Sequence, residues 1–179
     1  MRLFWQKGYS ATSICDLTSA MGIGSPSLYA AFGSKEALYA EAFAYYVRSN
    51  ETIVWGGFFA ADTARDAVAA FLHDTATGLS QAANGCMVTL SAVGAEGHPE
   101  LGALVASARN GTLTRLKDRL EMAQQAGEIS RSVDSHGLAR FVQSVQNGMS
   151  VLARDGAGVD DLKAVAEIAM LGWDARVGE

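Results

Sequence analysis

The chain has 179 residues, of which 49% are hydrophobic and 18% are charged, so it is apolar enough to bury a core and does not have the composition of a disordered protein. Its net charge of −5 is uneven, because residues 1–50 carry 4 basic and 3 acidic side chains whereas residues 51–179 carry 10 and 16. This balance excludes a protein that coats nucleic acid generally, but it permits a local contact with DNA.

The residue usage favours an all-α protein of a reducing compartment. Helical periodicity recurs along the chain and only two prolines occur. Cys15 and Cys86 form no C-x-x-C pair, so we expect a cytoplasmic protein without disulfides. His73, His98 and His136 are widely separated and have no ligand-type residue four positions away, so we expect no metal and no cofactor. We also expect no membrane segment, because no apolar run reaches about 18 residues.

The first predicted helix runs from Met1 to Lys7 and ends at Gly8, the residue type most common just past a helix end. It has barely two turns, and helices this short are marginal in isolation. We therefore expect that it is the end of a longer helix and that the DNA-binding part lacks its N-terminal residues.

A second helix is predicted by capping chemistry. Ser13, followed three residues later by Asp16, matches a capping box, and Thr12 is an equally plausible cap. The helix ends at Gly22, and its expected inward stripe is Ile14, Leu17 and Met21.

A third helix is predicted from a Ser25 cap and Pro26 at the first helical position, and it runs to about Phe32. Ser34 caps a fourth helix whose expected buried side is Leu38, Ala42, Tyr45 and Tyr46. Two short helices joined by a glycine-containing turn, with a support helix on each side, predict a helix-turn-helix in a small bundle.

Longer amphipathic helices are predicted beyond residue 50, at roughly 64–81, 86–95, 99–127, 135–154 and 160–176. Asp134 is the expected cap of the fourth of these. The turn Gly156-Ala157-Gly158 joins the last two into a helical hairpin.

The first 38 residues resemble the DNA-binding signature of the TetR/AcrR regulators. The similarity lies in Leu3-Phe4, Gly8-Tyr9, Thr12-Ser13, Asp16-Leu17, Met21-Gly22-Ile23, Ser27-Leu28-Tyr29 and Phe32-Gly33-Ser34-Lys35-Glu36-Ala37-Leu38. The resemblance implies a DNA-binding domain over residues 1–46 and a ligand-binding and dimerisation domain over residues 47–179. It further implies a homodimeric repressor that a small molecule releases from a palindromic operator.

The same resemblance assigns DNA contacts to Thr12, Ser25, Ser27, Tyr29 and Lys35. Thr12 would present its hydroxyl and backbone N–H to a phosphate, Tyr29 and Lys35 would contact the DNA backbone, and the serines lie on the outward side of the third helix. Many relatives have a basic residue near the start of that helix, where this chain has Gly24-Ser25-Pro26, so we expect a shallow salt dependence.

The resemblance also implies a cavity among the middle helices for a small apolar or amphipathic molecule, with core packing as the alternative role of each residue. Its expected apolar lining is Trp55, Phe58, Phe59, Phe71, Met87, Leu90, Leu104, Met122 and Phe141, and its polar candidates are Ser91, Arg109, Gln143 and Asn147. A symmetric interface between two copies is expected on the last two helices, at Val145, Met149, Leu152, Ala169 and Trp173, with intrachain core as the alternative.

Two other classes of function remain open from the sequence. An enzyme is disfavoured, because the chain has no recognisable Ser/Cys–His set, phosphate-cradling glycine loop or H-x-x-x-H pair. A ligand-binding homodimer with weak or lost operator recognition is the other alternative, because the first part of the chain is only weakly basic.

Overall fold

A computed structural model of the chain describes residues 1–81 and 84–178, and within these ranges the regular structure is entirely α-helical. Residue 179, the end of the predicted second domain, lies outside the described residues. The helices in chain order are α1 (Arg2–Lys7), α2 (Ile14–Met21), α3 (Ser25–Phe32), α4 (Lys35–Ala60), α5 (Ala64–Ser80), α6 (Met87–Leu90), α7 (Pro99–Ala126), α8 (Ser135–Arg154) and α9 (Val159–Val177).

Capping chemistry sets most helix starts as the sequence predicts. Ser13 and Asp16 form the capping box of α2, and Ser34 and Asp134 accept backbone N–H bonds at the starts of α4 and α8. The predicted start of α3 is wrong by one residue, because Gly24 is the cap and Pro26 is the second helical residue.

The structure gives the fourth predicted helix its end and shortens the helix predicted over residues 86–95. Helix α4 continues without a break to Ala60, because the packing of Trp55 and Phe58 in the core holds the Gly56-Gly57 segment helical. The helix expected over residues 86–95 is reduced to the single turn of α6. Tyr45 and Met21, both expected on inward stripes, are 56% and 38% exposed, since neighbouring residues on their helices already fill the inward positions.

We call residues 1–46 the head and residues 47–178 the body. The buried side chains form two clusters, which are named after these two parts. The head cluster joins α1–α4 to residues 87–105 through Phe4, Leu17, Leu28, Tyr39, Phe43, Met87, Val93, Leu101 and Val105. The body cluster joins the C-terminal part of α4 to α5, α7, α8 and α9, with α5 at its centre. Segments from the body thus complete the core of the head, so that the head does not pack on its own residues alone.

The segment between α6 and α7 crosses the start of α7 at two glycines. A Cβ added to Gly102 would lie 2.6 Å from the Cα of Gly94, and one added to Gly94 would lie 2.9 Å from the Cα of Gly102. Only glycine fits at both positions, because the obstacle in each case is backbone. This crossing brings residues 94–98 against the head.

We predict that Gly102→Ala lowers the free energy of unfolding by roughly 2 kcal/mol, because the new methyl group forces two backbones apart. Gly111→Ala is the matched control in the same helix, where an added Cβ meets no atom within 4 Å, and it should raise stability by up to about 1 kcal/mol. Urea denaturation measures both variants. If Gly102→Ala and Gly111→Ala raised the stability equally, the close approach of Gly94 to Gly102 would be contradicted.

Candidate functional site

Helices α2 and α3 form a helix-turn-helix whose second helix is exposed. The turn between them uses Gly22 with a φ of 67°, a left-handed conformation that favours glycine. Leu17 and Leu28 are 2% and 0% exposed and fix the two helices on the head cluster. Helix α3 has 8 residues and spans about 12 Å, which matches the width of the DNA major groove.

The outer surface of α3 presents small polar side chains and one tyrosine. Ser25, Ser27 and Tyr29 are exposed, Tyr29 by 45% of its surface, whereas Leu28 and Phe32 face the bundle as expected. Hydroxyl side chains of this kind can hydrogen-bond to base edges or phosphates of DNA.

Lys35 lies at the start of α4 in a fixed position. Its ammonium is 4.2 Å from the centre of the Tyr9 ring, and the Tyr9 hydroxyl donates a hydrogen bond of 2.6 Å to the Glu36 carboxylate. That hydrogen bond lowers the pKa of Glu36, while burial raises the pKa of Tyr9 above its ordinary value, followed by the effect of Glu36. The cation–π contact orients the lysine beside the exposed surface of the head.

Thr12 has an internal role that contradicts its predicted phosphate contact. The side chain is fully buried, its hydroxyl donates to the Gly8 carbonyl over 2.6 Å, and its backbone N–H bonds to the Tyr9 carbonyl over 3.2 Å. Both groups that would bind a phosphate are therefore engaged in holding the turn between α1 and α2.

The head carries little unpaired positive charge near α2. Lys7 forms an ion pair of 3.0 Å with Asp16. The Ser13 backbone N–H, then the Lys7 ammonium and the Ser13 hydroxyl, lower the pKa of Asp16 to about 2. Because this carboxylate stays ionised, it offsets the charge of Lys7 at any ordinary pH.

The body contains a cavity of about 230 Å³ between α4, α5, α6, α7 and α8. Trp55 and Phe71 form its aromatic part, with their ring centres 4.7 Å apart. Its polar lining includes Glu51, Thr75, Arg109, Arg115, Gln143, Gln146 and Asn147. The cavity is therefore amphipathic, with aromatic and charged parts.

The predicted apolar lining agrees with this cavity only in part. Trp55 and Phe71 line it, whereas Phe58 is buried in the body cluster, and Met87 and Leu90 line a second cavity beneath α1. The structure contradicts the prediction for four residues, whose side chains are 36–63% exposed on the outer surface: Phe59, Leu104, Met122 and Phe141. Helical spacing identified an apolar stripe but could not tell which stripe faces the cavity.

Among the polar candidates, Arg109, Gln143 and Asn147 line the body cavity, and Ser91 lines the second one. Glu51, Thr75 and Arg115 line the body cavity too and were missed. The sequence contained a usable signal, because Arg109, Thr112 and Arg115 repeat every three residues on α7 and all reach the cavity.

Helix α1 of the head forms part of the cavity wall. The indole of Trp5 lines the cavity and its Nε1–H donates to the Gly85 carbonyl over 2.9 Å. Ser10 donates from its hydroxyl to Glu96 over 2.7 Å, and Arg154 of α8 donates to the Trp5 carbonyl over 3.3 Å. The head is thus hydrogen-bonded to the segments that enclose the cavity.

The outer sides of α8 and α9 each carry an apolar stripe, and the two stripes together are here called the outer patch. On α8 it consists of Phe141, Val145, Gly148 and Leu152, and on α9 of Ala164, Ile168, Leu171 and Ala175. Ile168 and Leu171 are each 68% exposed, and the Phe141 ring lies against Gly172 of α9, which joins the two stripes.

The five residues predicted for a subunit interface divide between the two sides of this hairpin. Leu152 is exposed in the outer patch, whereas Val145 is half-buried there and packs partly against the body cluster. Met149, Ala169 and Trp173 are 0–6% exposed in the body cluster, and this burial contradicts their predicted contact with a partner. Their stripes are the ones that hold α8 and α9 against α5.

Residues 1–81 and 84–178 contain neither a metal-binding cluster nor a membrane-spanning helix. No group of three or more His, Cys, Asp or Glu side chains is arranged to hold a metal ion. No helix in these ranges has the length and apolar character needed to cross a membrane.

Comparison with known proteins gives consistent matches. The family model for bacterial regulatory proteins of the tetR family matches residues 1–42. The HTH-type transcriptional repressor ComR of Escherichia coli (strain K12) is 33% identical over 99% of this chain and 86% of its own length. The HTH-type transcriptional repressor BdcR of the same strain is 30% identical over 93% of this chain and 81% of its own length.

A solved structure extends these matches to the whole fold. A cysteine mutant of the TetR family transcriptional regulator CifR, complexed with 26-bp double-strand operator DNA, superposes with a TM-score of 0.88. It is 33% identical in sequence, and the match covers 95% of this chain and 90% of that one.

Proposed function

The chain belongs to the tetR family of bacterial regulatory proteins and is a DNA-binding transcriptional regulator, and we propose that it is a repressor released from a palindromic operator when a small apolar or amphipathic molecule fills the body cavity. The observation that carries this proposal is the position of Trp5. Its indole belongs to the DNA-binding head, yet it also lines the cavity. An occupant of the cavity would therefore touch the head directly.

We divide the chain into a DNA-binding domain over residues 1–46 and a ligand-binding and dimerisation domain over residues 47–179. Helix α4 crosses this boundary without interruption. A tilt of its C-terminal part, which lines the cavity, is therefore passed to its N-terminal part, which supports α3 in the head.

In this proposal α3 lies in the major groove, and Ser25, Ser27 and Tyr29 contact bases or phosphates. Lys35 contacts the DNA backbone from the start of α4. Two copies of the head would read half-sites about 34–36 Å apart, one helical turn of DNA. The family membership and the operator-bound structure of CifR support this arrangement.

Release follows from a difference in affinity between two conformations. In one conformation the two heads match the operator half-sites, and in the other they do not. A molecule that binds the second conformation more tightly shifts the population of the protein toward it. Movement of Trp5 and of the Gly85 segment is the expected first step, because both lie at the cavity wall.

We propose a binding protein rather than an enzyme. Cys86 lines the cavity, but the described lining residues include no histidine to act as its base. We also place the protein in the cytoplasm, where bacterial operator DNA is found.

We predict that Tyr29→Phe and Lys35→Ala each weaken operator binding about tenfold, because each removes a hydrogen bond to a charged phosphate. Lys35→Ala should also reduce the slope of log affinity against log salt concentration by about one, because one fewer phosphate contact releases about one fewer counterion. Footprinting of DNA beside the protein's own coding region locates the operator, and gel-shift titration of that DNA at several salt concentrations measures both effects.

Tyr45→Phe and Lys163→Ala are the matched controls, because they make the same changes on α4 and α9, away from α3. Unchanged affinity in both Tyr29→Phe and Lys35→Ala would remove the assigned DNA contacts. Failure of the unaltered protein to bind any operator at low salt would favour the alternative, a ligand-binding homodimer that has lost operator recognition.

We further propose that the outer patch on α8 and α9 is the homodimer interface. It is apolar, it is exposed, and it spans two neighbouring helices, so a second copy can pack against it as a symmetric four-helix arrangement.

We predict that the double variant Ile168→Glu and Leu171→Glu is monomeric at micromolar concentration, because four buried carboxylates would face one another across the twofold axis. Light scattering gives the mass of each species. Ile53→Glu on α4, also exposed in the structure, is the control and should stay dimeric. A dimeric double variant would contradict the assignment of the outer patch.

A further inference from the structure

We propose that the molecule bound by the body cavity is a small aromatic acid, with its anionic group at Arg109 and its ring beside Trp55 and Phe71. This proposal rests on the proposed function of the cavity as an effector site, and it narrows the effector from any small amphipathic molecule to one chemical class. Charge, hydrogen-bonding capacity and cavity shape support it separately.

The charged lining of the cavity has an excess of one positive charge. Glu51 forms an ion pair of 2.7 Å with Arg115, so these two charges offset each other. No acidic side chain in the described part of the chain lies within the 4.0 Å ion-pair distance of Arg109. A partly buried and uncompensated guanidinium favours a ligand that carries one negative charge.

Backbone contacts hold Arg109 in a fixed orientation. Its Nε donates to the Val88 carbonyl over 2.9 Å, and its Nη2 donates to the carbonyls of Thr89 and Ser91 over 2.8 and 2.7 Å. These bonds anchor the side chain but supply no opposite unit charge. Within the described residues Nη1 has no acceptor, so it can donate to a ligand.

Amide groups near Arg109 add further donors. Asn147 lines the cavity and its side-chain Oδ1 accepts a hydrogen bond of 3.0 Å from Thr89, so its amide N–H groups have no partner among the described residues and can donate to a ligand. Gln143 donates to the Arg109 carbonyl over 2.8 Å and so fixes the facing helix against this end. The Arg109 end therefore offers a cation and neutral donors together, the combination that recognises a carboxylate.

The other part of the cavity suits an aromatic ring. Trp55 and Phe71 are tilted by 36° with their ring centres 4.7 Å apart, and the Arg115 guanidinium lies 4.9 Å from the centre of the Trp55 ring. A planar ring can pack beside these faces, and the volume of about 230 Å³ restricts the occupant to a small molecule.

Thr75 provides an independent indication of a ligand. Its side chain is 3% exposed and lines the cavity, yet its hydroxyl is the buried side-chain oxygen without a hydrogen-bond partner among the described residues. Buried hydroxyl groups are normally paired, so an occupant with a second polar atom would complete this site.

The experiment compares naphthaleneacetate with its neutral and nearly isosteric amide, naphthaleneacetamide, by isothermal titration calorimetry on the full chain. The acid should bind at least about tenfold tighter than the amide, because a hydrogen bond to a charged group is stronger than one to a neutral group. Arg109→Gln should abolish this preference by weakening the acid and leaving the amide unchanged.

Two more variants keep the test valid if Arg109→Gln disturbs the fold, which circular dichroism would reveal. Glu51→Gln removes the negative charge of the lining and should strengthen acid binding several-fold. Thr75→Val is isosteric and should not weaken either probe, because neither probe carries a second polar atom to pair with the Thr75 hydroxyl. Arg65→Gln, at an ion pair with Asp174 on the outside of the body, is the control and should change neither affinity.

Equal affinity for acid and amide, tighter binding of the amide, or no binding of the acid would each overturn the proposal. Operator affinity is measured on the same samples without probe. Intact operator binding together with a failed acid preference refutes the ligand class alone, whereas loss of operator binding in the unaltered protein refutes the proposed function.

Discussion

The hydrogen bond from the Trp5 indole to the Gly85 carbonyl, 2.9 Å long, is the contact on which the connection between the two parts of the molecule depends. It joins the first helix of the head to the segment before α6, directly at the cavity. The Trp5 ring also packs edge-on against Tyr46 of α4, with ring centres 5.1 Å apart. One side chain thus contacts the head, the long connecting helix and the cavity wall at once.

Further contacts join the head to the body beside this hydrogen bond. The head core is completed by Met87, Val93, Leu101 and Val105 from the body, so any shift of α6 or of the start of α7 changes the packing of the head. The Gly94–Gly102 crossing and the bond from Ser10 to Glu96 hold this region close to α1. In contrast, the inward stripes of α8 and α9 are buried against α5, which leaves their outer stripes available for a second copy.

The sequence predicted the head well because its signals are local. A capping box at Ser13 and Asp16 and a left-handed glycine at position 22 specify where α2 begins and ends whatever surrounds them. Thr12 shows the limit of such reasoning. Its place before a helix suggested a phosphate contact, but burial and a bond to the Gly8 carbonyl are tertiary facts that spacing does not contain.

The body was predicted in its helices but not in its site. Each long helix has more than one apolar stripe, and the family resemblance did not show which stripe faces inward, so Leu104, Met122 and Phe141 were assigned to a cavity although they lie outside it. The polar residues were the better guide, since Arg109, Gln143 and Asn147 do line it. A partly buried charge needs a compensating partner, which limits where it can lie. An apolar residue fits a core, an interface or a pocket equally well.

The most direct test of the account measures how strongly the cavity and the operator are coupled. Operator affinity is determined with and without saturating naphthaleneacetate, in the unaltered protein and in Trp5→Phe, which keeps an aromatic ring but lacks the N–H donor. The account predicts that the acid weakens operator binding at least about tenfold in the unaltered protein and much less in Trp5→Phe. An equal effect of the acid in both proteins would contradict the central role of Trp5.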